Sequence, residues 1–268
     1  MQFGRGEMQP TDKTINDLTE ITQDSRNTVC LFSTEGRNYV QKVFGKVPNL
    51  WLAAESGYEY RALGTWRQMF KLSSRGWLQI LHTVMQEYCD NVDGSTVETR
   101  NSTIVWNYKN AELEHGQMCA KEMYLQIKHL IGDNNAPIEI VQGNGFLEVK
   151  PKQLKKTTLL NIFLKELIEE KFSKVDFLLY IGADSADEPV FEQLRTLLNT
   201  QGSDYFSPEC QNFLTILGKK PSKADFYMDE PEKLSLLINK LAQETKKRQK
   251  NRSFHNLAKE AASQLRES

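Results

Sequence analysis

The chain has 268 residues, of which 26% are charged and 39% hydrophobic, with a net charge of −1. That is the mix of an ordinary soluble protein, long enough for one large domain or for two that share a core. A charge so near zero supplies no global field to gather nucleic acid or an anionic membrane, and no apolar run approaches the ~18 residues of a spanning helix.

Residues 11–22 are expected to be helical. Thr28 to Phe32 is a short apolar strand, broken by Ser33-Thr34, and Glu35 to Phe44 follows as a helix. Leu50 to Ala54 is a second buried strand, and strand–helix–strand alternation with short connections implies a parallel α/β sheet. The character changes near residue 62. Trp77 to Tyr88 carries Leu78, Leu81, Val84 and Met85 at helical spacing. From Val97 to Lys109 the pattern alternates, which would place Glu98, Arg100, Ser102, Ile104, Trp106 and Tyr108 on one face of a strand. Cys119 to Ile131 reads as a helix, and Ile138 to Val149 as a hairpin turning at Asn144-Gly145. Antiparallel strands with helices predict a separate α+β module inserted at about residues 62–148.

The parallel pattern then resumes, with a helix from Leu154 to Phe172, a continuous apolar strand from Phe177 to Ile181 and a helix over 188–199. A last strand is expected before Gly218 and a helix from Pro231 to Gln243. The core therefore comprises residues 1–61 and 149–245, and residues 246–268 form a basic helix or tail with Lys246, Lys247, Arg248, Lys250 and Arg252. Such a run is ordinarily a solvated face, with anion or RNA binding as the alternative. Cys30, Cys89, Cys119 and Cys210 are far apart and form no CxxC pair, which argues against zinc or a disulfide framework and for a reducing compartment. The opening MQFGRGEMQPTDK has no apolar stretch, so no secretory signal is expected and the cytoplasm is the expected location.

Open α/β sheets bind ligands outside the carboxyl ends of their strands. Three such ends here carry polar loops: Ser33-Thr34, Lys155-Lys156 and Gly182 to Asp187. A hydroxyl, a lysine and acids suit a phosphate site, in which metal and lysine neutralise the charge of a transferred group. Each has a structural alternative. Ser33 would cap the next helix, Asp187 would cap the helix starting at Glu188, and the lysines would be surface residues.

The order of these pieces resembles the trehalose-6-phosphate phosphatase family of the haloacid-dehalogenase superfamily, and most of all the C-terminal phosphatase-like domain of plant-type trehalose-6-phosphate synthases. The stretches that carry the resemblance are SRNTVCLFSTEGR (25–37), NLWLAAESGYEYR (49–61), STVETRNSTIVWNYKNAELEHG (95–116), IEIVQGNGFLEVKP (138–151), LLYIGADSADEPVFEQL (178–194) and LGKKPSKADFYMDEPEKL (217–234). They are collinear over nearly the whole chain. The resemblance implies a Rossmann-like haloacid-dehalogenase core with an inserted α+β cap.

Active members of that family use an Asp-x-Asp strand end as nucleophile and general acid, with Mg²⁺ held beside it. No Asp-x-Asp occurs in this sequence; either the motif lies upstream or it has been lost. In place of the usual Ser-Gly-Arg stand Ser33, Thr34 and Glu35, which puts an acid near the expected phosphate. The family's Asn-Lys-Gly matches Lys155-Lys156-Thr157, which makes Lys156 the phosphate-orienting lysine. Its Gly-Asp-Asp-x-x-Asp matches Gly182-Ala183-Asp184-Ser185-Ala186-Asp187, in which the first carboxylate, a metal ligand in active relatives, is alanine. Asp184 and Asp187 are thus the remnant of a metal site, with Mg²⁺ weak or absent. By the same resemblance Glu98, Arg100, Lys109 and Glu148 of the cap are the sugar-binding residues, with Arg100 and Lys109 exchanged in type for the family's Lys and Arg. The cap's structural alternative is a solvated strand face.

The expected function is a catalytically impaired trehalose-6-phosphate phosphatase-like domain that senses trehalose-6-phosphate weakly. It would belong to a trehalose-6-phosphate synthase and contact that enzyme's glycosyltransferase domain in cis or in trans. The alternatives are an active Mg²⁺-dependent phosphatase with its nucleophile upstream, and an interaction module that binds no ligand.

Overall fold

Thr11 opens the first element. Its hydroxyl accepts from the Thr14 amide at 3.2 Å and so caps α1 (Asp12–Gln23), which turns Leu18 and Ile21 inward. The computed structural model describes residues 10–72, 75–131, 137–200 and 203–264, the last thirteen of these by backbone only. The first nine residues of the expected core segment, and residues 265–268 of the expected basic tail, lie outside the described residues.

Strand β1 (Cys30–Phe32) leads to α2 (Arg37–Phe44) and pairs in parallel with β2 (Trp51–Ala54), all four residues of which are buried. The sheet then departs from the expected all-parallel pattern. Strands β3 (Glu59–Ala62) and β4 (Thr65–Gln68) add to it as an antiparallel hairpin in the order β1-β2-β3-β4. Leu63 and Gly64, with φ of 53° and 83°, make the two-residue turn whose twist suits such a hairpin. Residues 62–68, grouped with the inserted module on sequence grounds, therefore pair with the first sheet.

The second sheet belongs to the inserted stretch. Helix α3 (Gly76–Asn91) precedes β5 (Thr96–Thr99) and β6 (Ile104–Asn107). Then come α4 (Leu113–Ile131), β7 (Ile138–Gly143) and β8 (Phe146–Pro151). All its pairings are antiparallel, in the order β5-β6-β8-β7, and Gly145 at φ 80° closes the β7–β8 hairpin at the expected Asn144-Gly145. The single alternating strand expected from Val97 to Lys109 is in fact two, folded back at residues 100–103, where the Arg100 amide donates to Thr103 O at 2.8 Å. That fold reverses the face assignment. Residues opposite one another in a ladder share a face, so Trp106 goes with Val97 and Leu147 while Glu98 goes with Val105 and Glu148. One face is dry, since Trp106, Ile104, Leu147 and Val149 pack with Met85, Met123 and Ile127 of the two helices. The other carries the carboxylates. Because β8 runs to Pro151, residues 149–151 also pair within this sheet and not with the core.

The third sheet follows α5 (Lys156–Lys171). Strands β9 (Val175–Gly182), β10 (Phe206–Leu217) and β11 (Phe226–Met228) run parallel, in the order β11-β10-β9, with α6 (Glu188–Asn199) after β9 and α7 (Pro231–Gln264) last. The parallel strands thus fall in two sheets, with β1 and β9 each bonded on one side only among the described residues. Helix α5 bridges them. Its Leu159 and Phe163 pack with Trp51, Tyr60 and Phe32, while Leu160 and Leu164 pack with Val190, Phe191, Leu214 and Ile216. With one side of β9 open, the apolar run 177–181 is not buried as expected, and Phe177 stays 47% exposed. Helix α7 lies along α1, with Asn239 donating to both oxygens of Asp17 at 3.1 and 3.0 Å, and it continues well past the expected Gln243 through the basic stretch. No helix among the described residues is long and apolar enough to cross a membrane.

Candidate functional site

Strand β9 ends at Gly182, and the next residues fold into a one-turn 3-10 segment, Ser185–Asp187, before α6. The Asp184 carboxylate accepts from the Ala186 amide at 2.9 Å, while Asp187 Oδ2 reaches back to the amides of Asp184 at 3.1 Å and Ala183 at 2.7 Å. This reciprocal capping corrects one of the sequence-based alternatives. Asp187 secures the short turn before α6, and its side chain makes no cap bond to α6 itself.

The other oxygen of Asp187 takes the Tyr180 hydroxyl at 2.7 Å and the Lys156 ammonium at 2.8 Å. Lys156 also donates to Asp184 at 3.3 Å, so one lysine bridges both acids. A lysine in the first turn of α5 sits against the positive end of the helix dipole; the two carboxylates hold it there. Asp187 is 3% exposed, and burial pushes its carboxyl up, yet the Lys156 charge and hydrogen bond, the Ala183 amide and Tyr180 together keep it below the ordinary range. Burial, and then the Asp187 charge, push the Tyr180 phenol far above its usual value.

This donor set does not fit Mg²⁺. A hard divalent ion needs oxygen lone pairs in octahedral array. Asp187 has both oxygens committed to four donors, and an ammonium stands between the two acids. Among the described residues no three His, Cys, Asp or Glu side chains are grouped for a metal.

At the end of β1, Ser33 is buried and its hydroxyl accepts from the Glu35 amide at 3.1 Å. That is a turn bond ahead of α2, which starts at Arg37 and not at Glu35. Arg100, from the turn between β5 and β6, enters here. Its guanidinium donates to Thr34 O and to Glu98 at 3.1 Å, and lies 3.6 Å from Glu35. An arginine of the inserted sheet thus pairs with the acid that stands where the family pattern has arginine. Desolvation opposes that charge, but Glu98 first, then Glu35 and Glu148, raise the Arg100 pKa overall.

Glu148 is half-buried on the same face as Glu98. Burial pushes its carboxyl up, Lys150 and Arg100 pull it down, and Glu139 and Asp184 push it up again. Lys109 lies apart: it is exposed beyond the end of β6, packed against Gly145 of the β7–β8 turn. The structure thus brings the predicted residues together in two groups, Lys156 with Asp184 and Asp187, and Arg100 with Glu98 beside the Ser33 turn, with Glu148 on the sheet face of Glu98 and Lys109 in neither group.

Sequence reasoning missed four contributors. Lys150 follows Glu148 by two residues, the period that returns a strand to the same face, so the signal was present. Lys220, just past β10, donates to Ala183 O and pins the Asp184 loop. Tyr180 was read as part of an apolar run. Glu55, directly after β2, has a buried carboxylate bonded to the Asn101 and Ser102 amides.

The family model described as trehalose-phosphatase matches residues 3–232. Alpha,alpha-trehalose-phosphate synthase 5 (UDP-forming) of Arabidopsis thaliana is 33% identical over 235 residues, which is 87% of this chain and 27% of that protein. The chain thus spans about a quarter of the length of the curated relatives it matches. The C-terminal domain of C. albicans trehalose-6-phosphate phosphatase superposes with a TM-score of 0.75 at 21% identity, covering 90% of this chain and 87% of that one. A haloacid dehalogenase-like hydrolase from Bacteroides thetaiotaomicron does so at 0.54 and 8% identity, over 90% and 95%. With a family match over most of its length and an α/β architecture of the haloacid-dehalogenase type, the chain belongs to the trehalose-phosphatase family.

Proposed function

We propose that this domain binds trehalose-6-phosphate without hydrolysing it, and that it serves as a regulatory or sugar-phosphate-sensing part of a trehalose-6-phosphate synthase. In this reading it contacts the synthase's glycosyltransferase domain, in cis or in trans, and resides in the cytoplasm, where its cysteines stay reduced. The observation that carries the reading is the ammonium of Lys156 lodged between Asp184 and Asp187. A cation is still supplied there, but it is the protein's own.

Turnover needs more than charge. Covalent phosphoryl transfer requires a nucleophile, and the Asp-x-Asp that would supply one is missing from the sequence. Glu35 adds a negative charge beside the Ser33 strand end, which disfavours a dianionic phosphate unless Arg100 offsets it. Binding groups persist. Lys156 and the Ser33 hydroxyl face the phosphate, Arg100 offers a fork suited to phosphate or sugar oxygens, and Glu98 and Glu148 accept from sugar hydroxyls. Lys109 serves only a ligand long enough to reach the β7–β8 turn.

A phosphate-release assay on the purified chain with trehalose-6-phosphate and Mg²⁺ tests this. The expected rate does not exceed that of the Lys156→Ala variant. Mg²⁺-dependent turnover abolished by Asp184→Ala or Asp187→Ala would overturn the reading and point to a working phosphatase.

A further inference from the structure

Strand β2 is followed by two residues in an uncommon conformation. Glu55 and Ser56 have φ of 47° and 56°, the left-handed region that residues with a side chain avoid at roughly 1–3 kcal/mol each. Backbone bonds hold them there. The Glu55 amide donates to Glu35 O at 2.8 Å and the Ser56 amide to Ser33 O at 2.9 Å, both in the loop that follows β1.

The consequence is where the Glu55 carboxylate ends up. It leaves the first sheet and meets the β5–β6 turn of the inserted one. Oε1 accepts from the Asn101 amide at 3.1 Å, and Oε2 from the Ser102 amide at 2.9 Å and the Ser102 hydroxyl at 2.8 Å. Glu55 is 2% exposed and Ser102 fully buried. Beside them, Glu59 accepts from the Asn101 side chain at 3.2 Å. A buried carboxylate is costly unless donors satisfy it. Here the three donors come from the residues that directly follow Arg100.

We infer that Glu55 is a positioning residue. Its carboxylate clamps the 100–103 turn onto the core and holds the Arg100 guanidinium at Thr34 O and Glu35, ready for a sugar phosphate entering between the two parts. The strained backbone at 55–56 is what aims it. The effect on ligand affinity rests on the function proposed above; the clamp itself does not.

Glu55→Gln turns one acceptor into an amide that opposes an N–H donor, and Glu55→Asp keeps the charge but withdraws it by one methylene. In the unliganded chain, hydrogen exchange at the Asn101 and Ser102 amides should speed up at least tenfold in both variants, with Val105 and Trp106 unchanged. Affinity for trehalose-6-phosphate should fall about tenfold. Affinity for inorganic phosphate should fall less, because Lys156 and Ser33 still meet it and only the Arg100 offset of Glu35 is weakened. If Glu55→Gln fails to fold, Glu55→Asp carries the same measurements. Unchanged exchange at 101–102 refutes the clamp. Faster exchange with unchanged sugar-phosphate affinity, or equal losses for both ligands, refutes the positioning role. Absence of trehalose-6-phosphate binding in the wild type refutes the proposed function and leaves the exchange result to decide the clamp.

Discussion

Replacing Lys156 by methionine removes the ammonium while keeping most of the volume. The side chain is 11% exposed and Asp187's is 4%, so the pair is shielded from water on both sides. Removing one member of a buried ion pair costs ~3–5 kcal/mol when the other is left uncompensated. Here Asp187 keeps two backbone donors and the Tyr180 hydroxyl, and Asp184 is a third exposed. The expected loss is therefore smaller, about 2–3 kcal/mol, which for a chain of this size corresponds to a fall in Tm of about 5–10 °C. The sign of the pH dependence follows from Asp187. Its folded-state carboxyl is held below the ordinary value of 3.8, so the pair contributes above that value and is lost as pH falls through the folded one. Urea denaturation should show the full deficit at neutral pH and a shrinking one in acid. Equal stability of the two proteins at neutral pH would refute the reasoning, because the bridge would then hold nothing.

Glu148→Gln should raise stability at pH 8, where burial beside Asp184 and Glu139 penalises the charge, and the gain should vanish in acid as the wild-type carboxyl protonates; thermal melts across pH check it. Phe163→Ala should cost ~3–5 kcal/mol by calorimetry, since its ring meets Phe32, Trp51 and Tyr60 edge-on and joins α5 to the first sheet. Along β9, amides bonded to β10 should exchange slowly and the alternate amides on the open edge quickly; uniform protection along the strand would show the edge to be covered.

Helices were legible because their stripes bury strongly, as with Leu78, Leu81, Val84 and Met85 of α3 or Leu159, Leu160, Phe163 and Leu164 of α5. Strands were harder. Period two survives a tight reversal, so the alternation across 97–109 concealed the turn at 100–103 and misplaced Glu98 relative to Trp106. The β3–β4 hairpin escaped because Leu63 stands at a left-handed position usually marked by Asn, Asp or Gly. Of the site, the strand-end residues could be found from motif order. Their bonds could not, since Lys156 meets Asp184 across 28 positions and Arg100 meets Thr34 across 66. Glu55 lies within one of the stretches that carry the family resemblance, residues 49–61, but nothing in that stretch indicates a clamp. Its role depends on a backbone conformation that its residue type does not advertise.

The central claim is binding without turnover, and titration calorimetry with trehalose-6-phosphate, trehalose and glucose-6-phosphate, with phosphate release followed in the same cell, tests it most directly. Trehalose-6-phosphate should bind in roughly the 0.1–1 mM range, about −4 to −5.5 kcal/mol, the other two more weakly, and no phosphate should appear. Glu148→Ala should weaken that binding by ~1–3 kcal/mol through loss of a charged acceptor. Failure to bind at several millimolar, or equal weak binding of all three sugars, would contradict the account and leave an interaction module; release of phosphate would contradict it in favour of an enzyme.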